Sequence, residues 1–123
     1  MRCAARLSRR LPTLSLLHGY RDSANLYFVI ASFGDKATAD LFHGVASKAA
    51  RQWSEIEKVA LRKLDMVNAA HVLDDLKVPP GNRLEALKGD LAGYHSIRIN
   101  QQFRVVFRWK DGAAHEVRIV DYH

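Results

Sequence analysis

One cysteine in 123 residues, Cys3, leaves no partner for an intrachain disulfide, so packing alone has to hold this fold together. Such a chain suits a reducing compartment, and the cytoplasm is its expected location. No apolar run approaches the roughly 18 to 20 residues that cross a bilayer, so no membrane association is expected. The histidines His18, His43, His71, His95, His115 and His123 include no pair at helical ligand spacing, and no cysteine cluster joins them. Neither a metal site nor a small-molecule cofactor is expected.

What is plentiful is positive charge, a net +6, and its placement decides what it means. Residues 1–28 hold five arginines and one acid, a net +4, while residues 29–123 hold 14 basic and 12 acidic residues, a net +2. The basicity therefore belongs mainly to the first segment, and the high pI says little about the remainder. That first segment shows neither helical nor strand periodicity before its final "LYF". Its arginines and the interrupted run "LPTLSLL" admit a targeting segment. A disordered extension is a second reading, and upstream sequence from too early a start codon is a third.

From Val29 onward the chain reads as one domain of 29–123. "VIASF" is a first strand. Asp35 is placed to cap a short helix, "KATADLFH", that stops at Gly44. "ASKAARQ" reads as a connector. Ser54 and Glu57 have capping-box spacing, and Ile56, Ala60, Leu64 and Val67 recur at helical intervals, so a helix is expected from about Ser54 to Ala70. A short helical piece, "HVLDDL", runs into the turn "VPPGN". Then the period changes to two: "RLEAL", "YHSIRIN", "FRVVFRW" and "AHEVRIV" are strands separated by turn signals. The expected class is α+β, an N-terminal strand and helices packed on a mostly antiparallel sheet of about four strands.

Alternation sorts the two faces of that sheet. Phe103, Val105, Phe107 and Trp109 share one side, the core; Arg104, Val106 and Arg108 share the other. Three-residue loops at 100–102 and 111–113 would set Ile99 against Phe103, Phe107 against Val117 and Val105 against Ile119. The same register sends Arg98, Arg104, Arg108 and Arg118 to the opposite face, with Glu116 across from Arg108 and Tyr122 following. Like charges gathered on one face repel, which is easier to understand if an anion visits them. An ordinary solvated face with surface ion pairs is the other reading. Strict alternation would also place Asp121 and His123 on the core side, so the strand should end or bulge near Asp121 and free His123 to turn.

Arginine, tyrosine and imidazole together suit phosphodiester chemistry. An attacking 2′-hydroxyl must lose a proton, a leaving 5′-oxygen must gain one, and the phosphoryl charge needs a fixed cation. Arginine offers phosphate a two-pronged fork.

The ordered set "LKGD", "GYHSIRIN", "FRVVFRW" and "VDYH" resembles the C-terminal half of the HigB toxins in the RelE and ParE superfamily. "IASFGDKATADLF", "ALRKLDMVNAA" and "VPPGNRL" extend the likeness over roughly residues 29–123. The resemblance implies a RelE-like fold, a helix-turn-helix (HigA-like) antitoxin as partner, and mRNA cleavage in the ribosomal A site. It implies that Lys88 and Arg104 contact or stabilise phosphate and that Asp121, Tyr122 and His123 form the catalytic tail. It favours the early-start reading of residues 1–28. One departure is marked: this chain has "LEALKGD" where HigB enzymes can carry "LHPLKGD", so Glu85 stands in place of a catalytic histidine. Glu85 could serve as a general base, yet its charge would repel RNA phosphate. His95 stands where relatives often carry Trp and reads first as packing. A non-catalytic inhibitor, of gyrase as in the ParE branch or of ribosome assembly, is the alternative, and a plain protein-binding module is a third.

Overall fold

The computed structural model describes residues 30–122. Its helices are α1 (Lys36–His43), α2 (Lys48–Arg51) and α3 (Glu57–Ala69). Its strands are β1 (Glu85–Ala86), β2 (His95–Arg98), β3 (Phe103–Lys110) and β4 (Ala113–Asp121), forming an antiparallel sheet in the order β1-β2-β3-β4. The molecule is thus α+β, as its change of hydrophobic period requires.

The α1 helix forms as its sequence indicates: the Asp35 carboxylate accepts from the Thr38 amide at 2.8 Å, and Gly44 closes the other end at φ 77°. The expected connector 46–52 contains instead a helical turn, α2. Ser47 nucleates it by accepting from the Ala50 amide at 3.0 Å while donating to Asp40 Oδ2 at 2.7 Å. The Ser54–Glu57 capping box does not form. Ser54 to Ile56 make a 3₁₀ turn, so Ser54 lies inside a helical turn and not in the extended conformation a capping serine needs, and α3 starts at Glu57 with no side-chain cap. From there Ala60, Leu61, Leu64 and Val67 enter the core, against Ile97, Val105, Phe107, Val117 and Ile119 of the sheet. Each valine, leucine, isoleucine or phenylalanine buried there contributes on the order of 1.5–3 kcal/mol.

The expected first strand takes the form of two parallel bridges to β4, Ile30 with Ala114 and Phe33 with Val117. Its ladder is interrupted at Glu116, whose amide donates to the Ser32 hydroxyl at 2.9 Å and not to a main-chain carbonyl.

Register follows the expected pairing with one correction. Val105 opposes Ile119, and the Ile99 amide donates to the Phe103 carbonyl across a three-residue loop. The next hairpin turns on two residues instead of three: Lys110 pairs with Ala113 across Asp111 (φ 52°) and Gly112 (φ 75°). Positive φ at both positions is the geometry that matches strand twist in a two-residue turn. A shorter loop shifts the register by one, and a bulge at Glu116 (φ 55°) restores it, so Arg108 opposes His115 and not Glu116.

A buried polar joint ties the sheet entrance to α3. Lys63 is 7% exposed and donates to Asn82 Oδ1 at 2.5 Å; Asn82, fully buried, donates to the Leu76 carbonyl at 3.1 Å. Arg83 follows in the left-handed region at φ 47° and leads into β1. Lys63 is held below the ordinary lysine range by burial first and by Arg62 second.

Candidate functional site

On the sheet face away from the helices, Ser96 and Val106 are fully buried although both alternate away from the core. That face is a packed layer of side chains, and it divides into two groups.

The first is centred on Arg104, in the middle of the sheet and 7% exposed. Its Nε donates to the Ser96 hydroxyl at 2.8 Å, and one terminal nitrogen, Nη2, donates to the Arg83 carbonyl at 2.7 Å and lies 3.3 Å from Glu85 Oε1. The Tyr122 ring lies 5.1 Å from the guanidinium carbon. Among the described residues nothing accepts from the other terminal nitrogen, Nη1. A cation fixed on one side by three acceptors thus keeps a second pair of N–H groups for an anion. Burial, the largest influence, pulls Arg104 below the ordinary guanidine range; the Glu85 and Tyr122 oxygens oppose this, and Arg98 and Arg83 reinforce it.

The second group is centred on Tyr94. Arg108 and Arg118 lie 4.7 and 5.7 Å from its ring centre, and its hydroxyl donates to Glu116 Oε1 at 2.5 Å. Glu116 Oε2 lies 3.5 Å from Arg108 Nε, so the expected Arg108–Glu116 partnership exists even though the two residues are not opposed in register. Arg108 is raised above the ordinary guanidine range by the Tyr94 oxygen first and by Glu116 after it.

The sequence-derived candidates therefore separate. Arg104, Glu85 and Tyr122 converge. Arg98 opposes Arg104 in register and turns its Nε to the Asn100 carbonyl at 3.2 Å. Arg108 and Arg118 belong to the Tyr94 group. Asp121 stands at the end of β4, where it opposes Phe103 and its carboxylate accepts from the Gln102 side chain at 3.0 Å. Successive strand residues point to opposite faces, so Asp121 cannot share the Tyr122 side while the strand remains regular. Lys88 is exposed beyond β1, and among the described residues its ammonium pairs with none of the Arg104 group. His123 lies outside the described residues, as do 1–29. His95 stacks on Phe107 with ring centres 6.3 Å apart.

Three participants escaped the sequence reading. Ser96 and Tyr94 were findable, because alternation back from Arg98 puts both on its face. The Arg83 carbonyl carries no side-chain signal at all.

The family model described as RelE-like toxin of type II toxin-antitoxin system HigB matches residues 31–123. The chain belongs to this HigB-like family. Toxin HigB-1 of Vibrio cholerae serotype O1 (strain ATCC 39315 / El Tor Inaba N16961) is 51% identical over 61 residues, covering 50% of this chain and 64% of that protein. An uncharacterized protein of Haemophilus influenzae (strain ATCC 51907 / DSM 11121 / KW20 / Rd) is 40% identical over 58 residues, 47% of this chain and 57% of that one. The chain thus aligns with less than two thirds of the length of either relative. A solved YoeB-YefM complex from Staphylococcus aureus is similar at 20% identity and a TM-score of 0.46, over 77% of this chain and 98% of that one. The HigB-like match takes in both arginine groups.

Proposed function

We propose that this HigB-like chain is the toxin of a type II pair, acting in the cytoplasm as a ribosome-dependent endoribonuclease that cuts mRNA and is neutralised by a helix-turn-helix antitoxin. The observation that carries the reading is the buried Arg104 guanidinium, anchored by Ser96 and Arg83 and roofed by Tyr122, with one nitrogen unspent among the described residues. Burial strengthens its attraction for an anion, because less solvent screens it.

In the proposed reaction the RNA 2′-oxygen attacks the adjacent phosphorus. The O2′–P bond forms and the P–O5′ bond breaks, leaving a 2′,3′-cyclic phosphate and a 5′-hydroxyl. Arg104 holds the charge that builds on the phosphoryl oxygens. Tyr122 and His123 handle the two protons, a task worth about 100-fold to 10,000-fold in rate. Lys88 and Arg98 supply further positive charge for the backbone. Asp121, turned to Gln102, has an orienting and not a proton-transferring role in this scheme.

A second reading, growth inhibition through binding to ribosomal components or gyrase without cutting, is favoured by Glu85. Its carboxylate already sits 3.3 Å from Arg104, where a phosphate oxygen would have to compete. Programmed ribosomes incubated with purified chain separate the two. Cleaved mRNA, reduced at least tenfold by Arg104→Ala or His123→Ala, supports the nuclease; intact message beside arrested growth supports the inhibitor. Neutralisation by the product of a neighbouring gene encoding a helix-turn-helix protein tests the partner.

A further inference from the structure

The Tyr94 group has more cation than its own carboxylate can use. Two guanidinium groups flank one phenol ring, at 4.7 and 5.7 Å, and Glu116 is their single acidic neighbour among the described residues. That carboxylate is divided: one oxygen takes the Tyr94 hydroxyl at 2.5 Å, and the other stands 3.5 Å from Arg108 Nε, beyond good hydrogen-bond length. Both members of this ion pair are nearly half exposed, at 46% and 49%, so exchanging it for another anion costs little. Arg118 has no acidic partner among the described residues.

The scaffold beneath is nonetheless stiff. Glu116 sits in the bulge at φ 55°, and Gly34 packs against it so closely that an added Cβ would lie 2.9 Å from the Glu116 carbonyl oxygen and 3.2 Å from Arg118 Cδ. Gly93, at φ 94°, lets the chain turn beneath Arg108 to deliver Tyr94. Loose charges on a rigid base suit reversible capture of an anion. The location narrows which anion. Arg118 opposes Val106, two residues along β3 from Arg104 and on the same face. Two strand residues advance by about 7 Å, a step that neighbouring phosphates of one nucleic-acid strand can bridge.

We infer that Tyr94, Arg108 and Arg118 form a second subsite that holds a neighbouring phosphate of single-stranded RNA, with Glu116 as the internal counter-ion that the phosphate displaces. Tyr94 is a positioning residue: its ring sets the two guanidinium planes, and its hydroxyl holds Glu116. The inference rests on the RNA reading of the Arg104 group, but the two can fail separately.

The test uses the full chain, labelled with nitrogen-15, and a short single-stranded RNA whose 2′-oxygens are methylated so that it cannot be cut. Titration is followed through the arginine Nε–H resonances over a salt series, with thermal melting to confirm folding of each variant. Arg118→Gln should weaken binding about fivefold to tenfold and lower the salt slope by about 0.7, the share of one single-strand phosphate contact. Arg118→Lys should retain most of that slope, Glu116→Gln should tighten binding about threefold, and Tyr94→Phe should retain more affinity than Tyr94→Leu. Wild-type affinity and slope in folded Arg118→Gln and Arg108→Gln, with Arg104→Gln still weakened, would overturn the subsite and leave the RNA reading standing. No shift of any arginine resonance in the wild type would remove both. Intact RNA binding in Arg118→Gln with weakened capture of the antitoxin would assign the face to protein and overturn the proposal.

Discussion

The two arginine groups are built from the same parts, a guanidinium over a tyrosine ring with one carboxylate nearby, yet they occupy opposite ends of the burial scale. The Arg104 side chain is 9% exposed and gives two of its three nitrogens to a hydroxyl, a carbonyl and a carboxylate. Arg108, 46% exposed, leans on a ring and a loosely held acid. A buried cation has to be satisfied by fixed partners because water cannot do it, and those partners make it rigid. An exposed cation is solvated already and can change partners. The difference separates a centre suited to stabilising charge in a reaction from one suited to gripping and releasing a strand.

The contrast can be broken most forcefully at Arg104. Arg104→Ala should lower mRNA cleavage about 100-fold, the scale of losing one preorganised charge donor. It should also cost about 2 kcal/mol in denaturant unfolding, because Ser96 and the Arg83 carbonyl lose their partner. Arg108→Ala, by comparison, should move stability by less than about 0.5 kcal/mol. In stability alone, the larger loss belongs to the joint that sets β1 beneath the first group. Asn82→Ala strands the Lys63 ammonium in the interior and should destabilise by about 3 kcal/mol, read as a fall in urea midpoint at unchanged slope.

Gly34→Ala attacks the other group. Its new methyl meets main chain at 2.9 Å, so about 1–2 kcal/mol of stability should be lost, with cleavage by the Arg104 group changed less than twofold per folded molecule. The smallest expected effect is the most discriminating. Glu85→Gln removes the charge competing for Arg104 and should speed cleavage severalfold with little change in melting temperature. A tenfold loss instead would make Glu85 the general base.

Most of the sheet was readable in one dimension because alternation is a local rule. It sorted Phe103, Val105 and Phe107 from Arg104 and Arg108, and it brought Tyr122 to the arginine side. The turn at Asp111–Gly112 was misjudged by one residue. The error did no lasting damage, since the bulge at Glu116 returned Val105 to Ile119. The capping-box spacing at Ser54 and Glu57 was misleading for a related reason: a cap depends on the conformation of the residue, and Ser54 is already inside a 3₁₀ turn.

Asp121 was expected on the core side at a point where the strand ends or bulges, and β4 does end there, with Asp121 opposite Phe103. Consecutive residues of a strand diverge, so neighbours in "VDYH" cannot all reach one pocket without a break in the strand. Arg83 contributes only main chain, and no residue-type pattern can announce a carbonyl.

The amino-acid order by itself determined an α+β chain, which residues face the helices, and membership of the HigB-like family, because those depend on period and on motif. Tertiary structure decided that one arginine is buried and another half exposed, and so that a single basic face is two sites. Depth on a sheet depends on which distant segments cover it, and here Arg83 and Glu85 close over Arg104 while nothing comparable among the described residues covers Arg108.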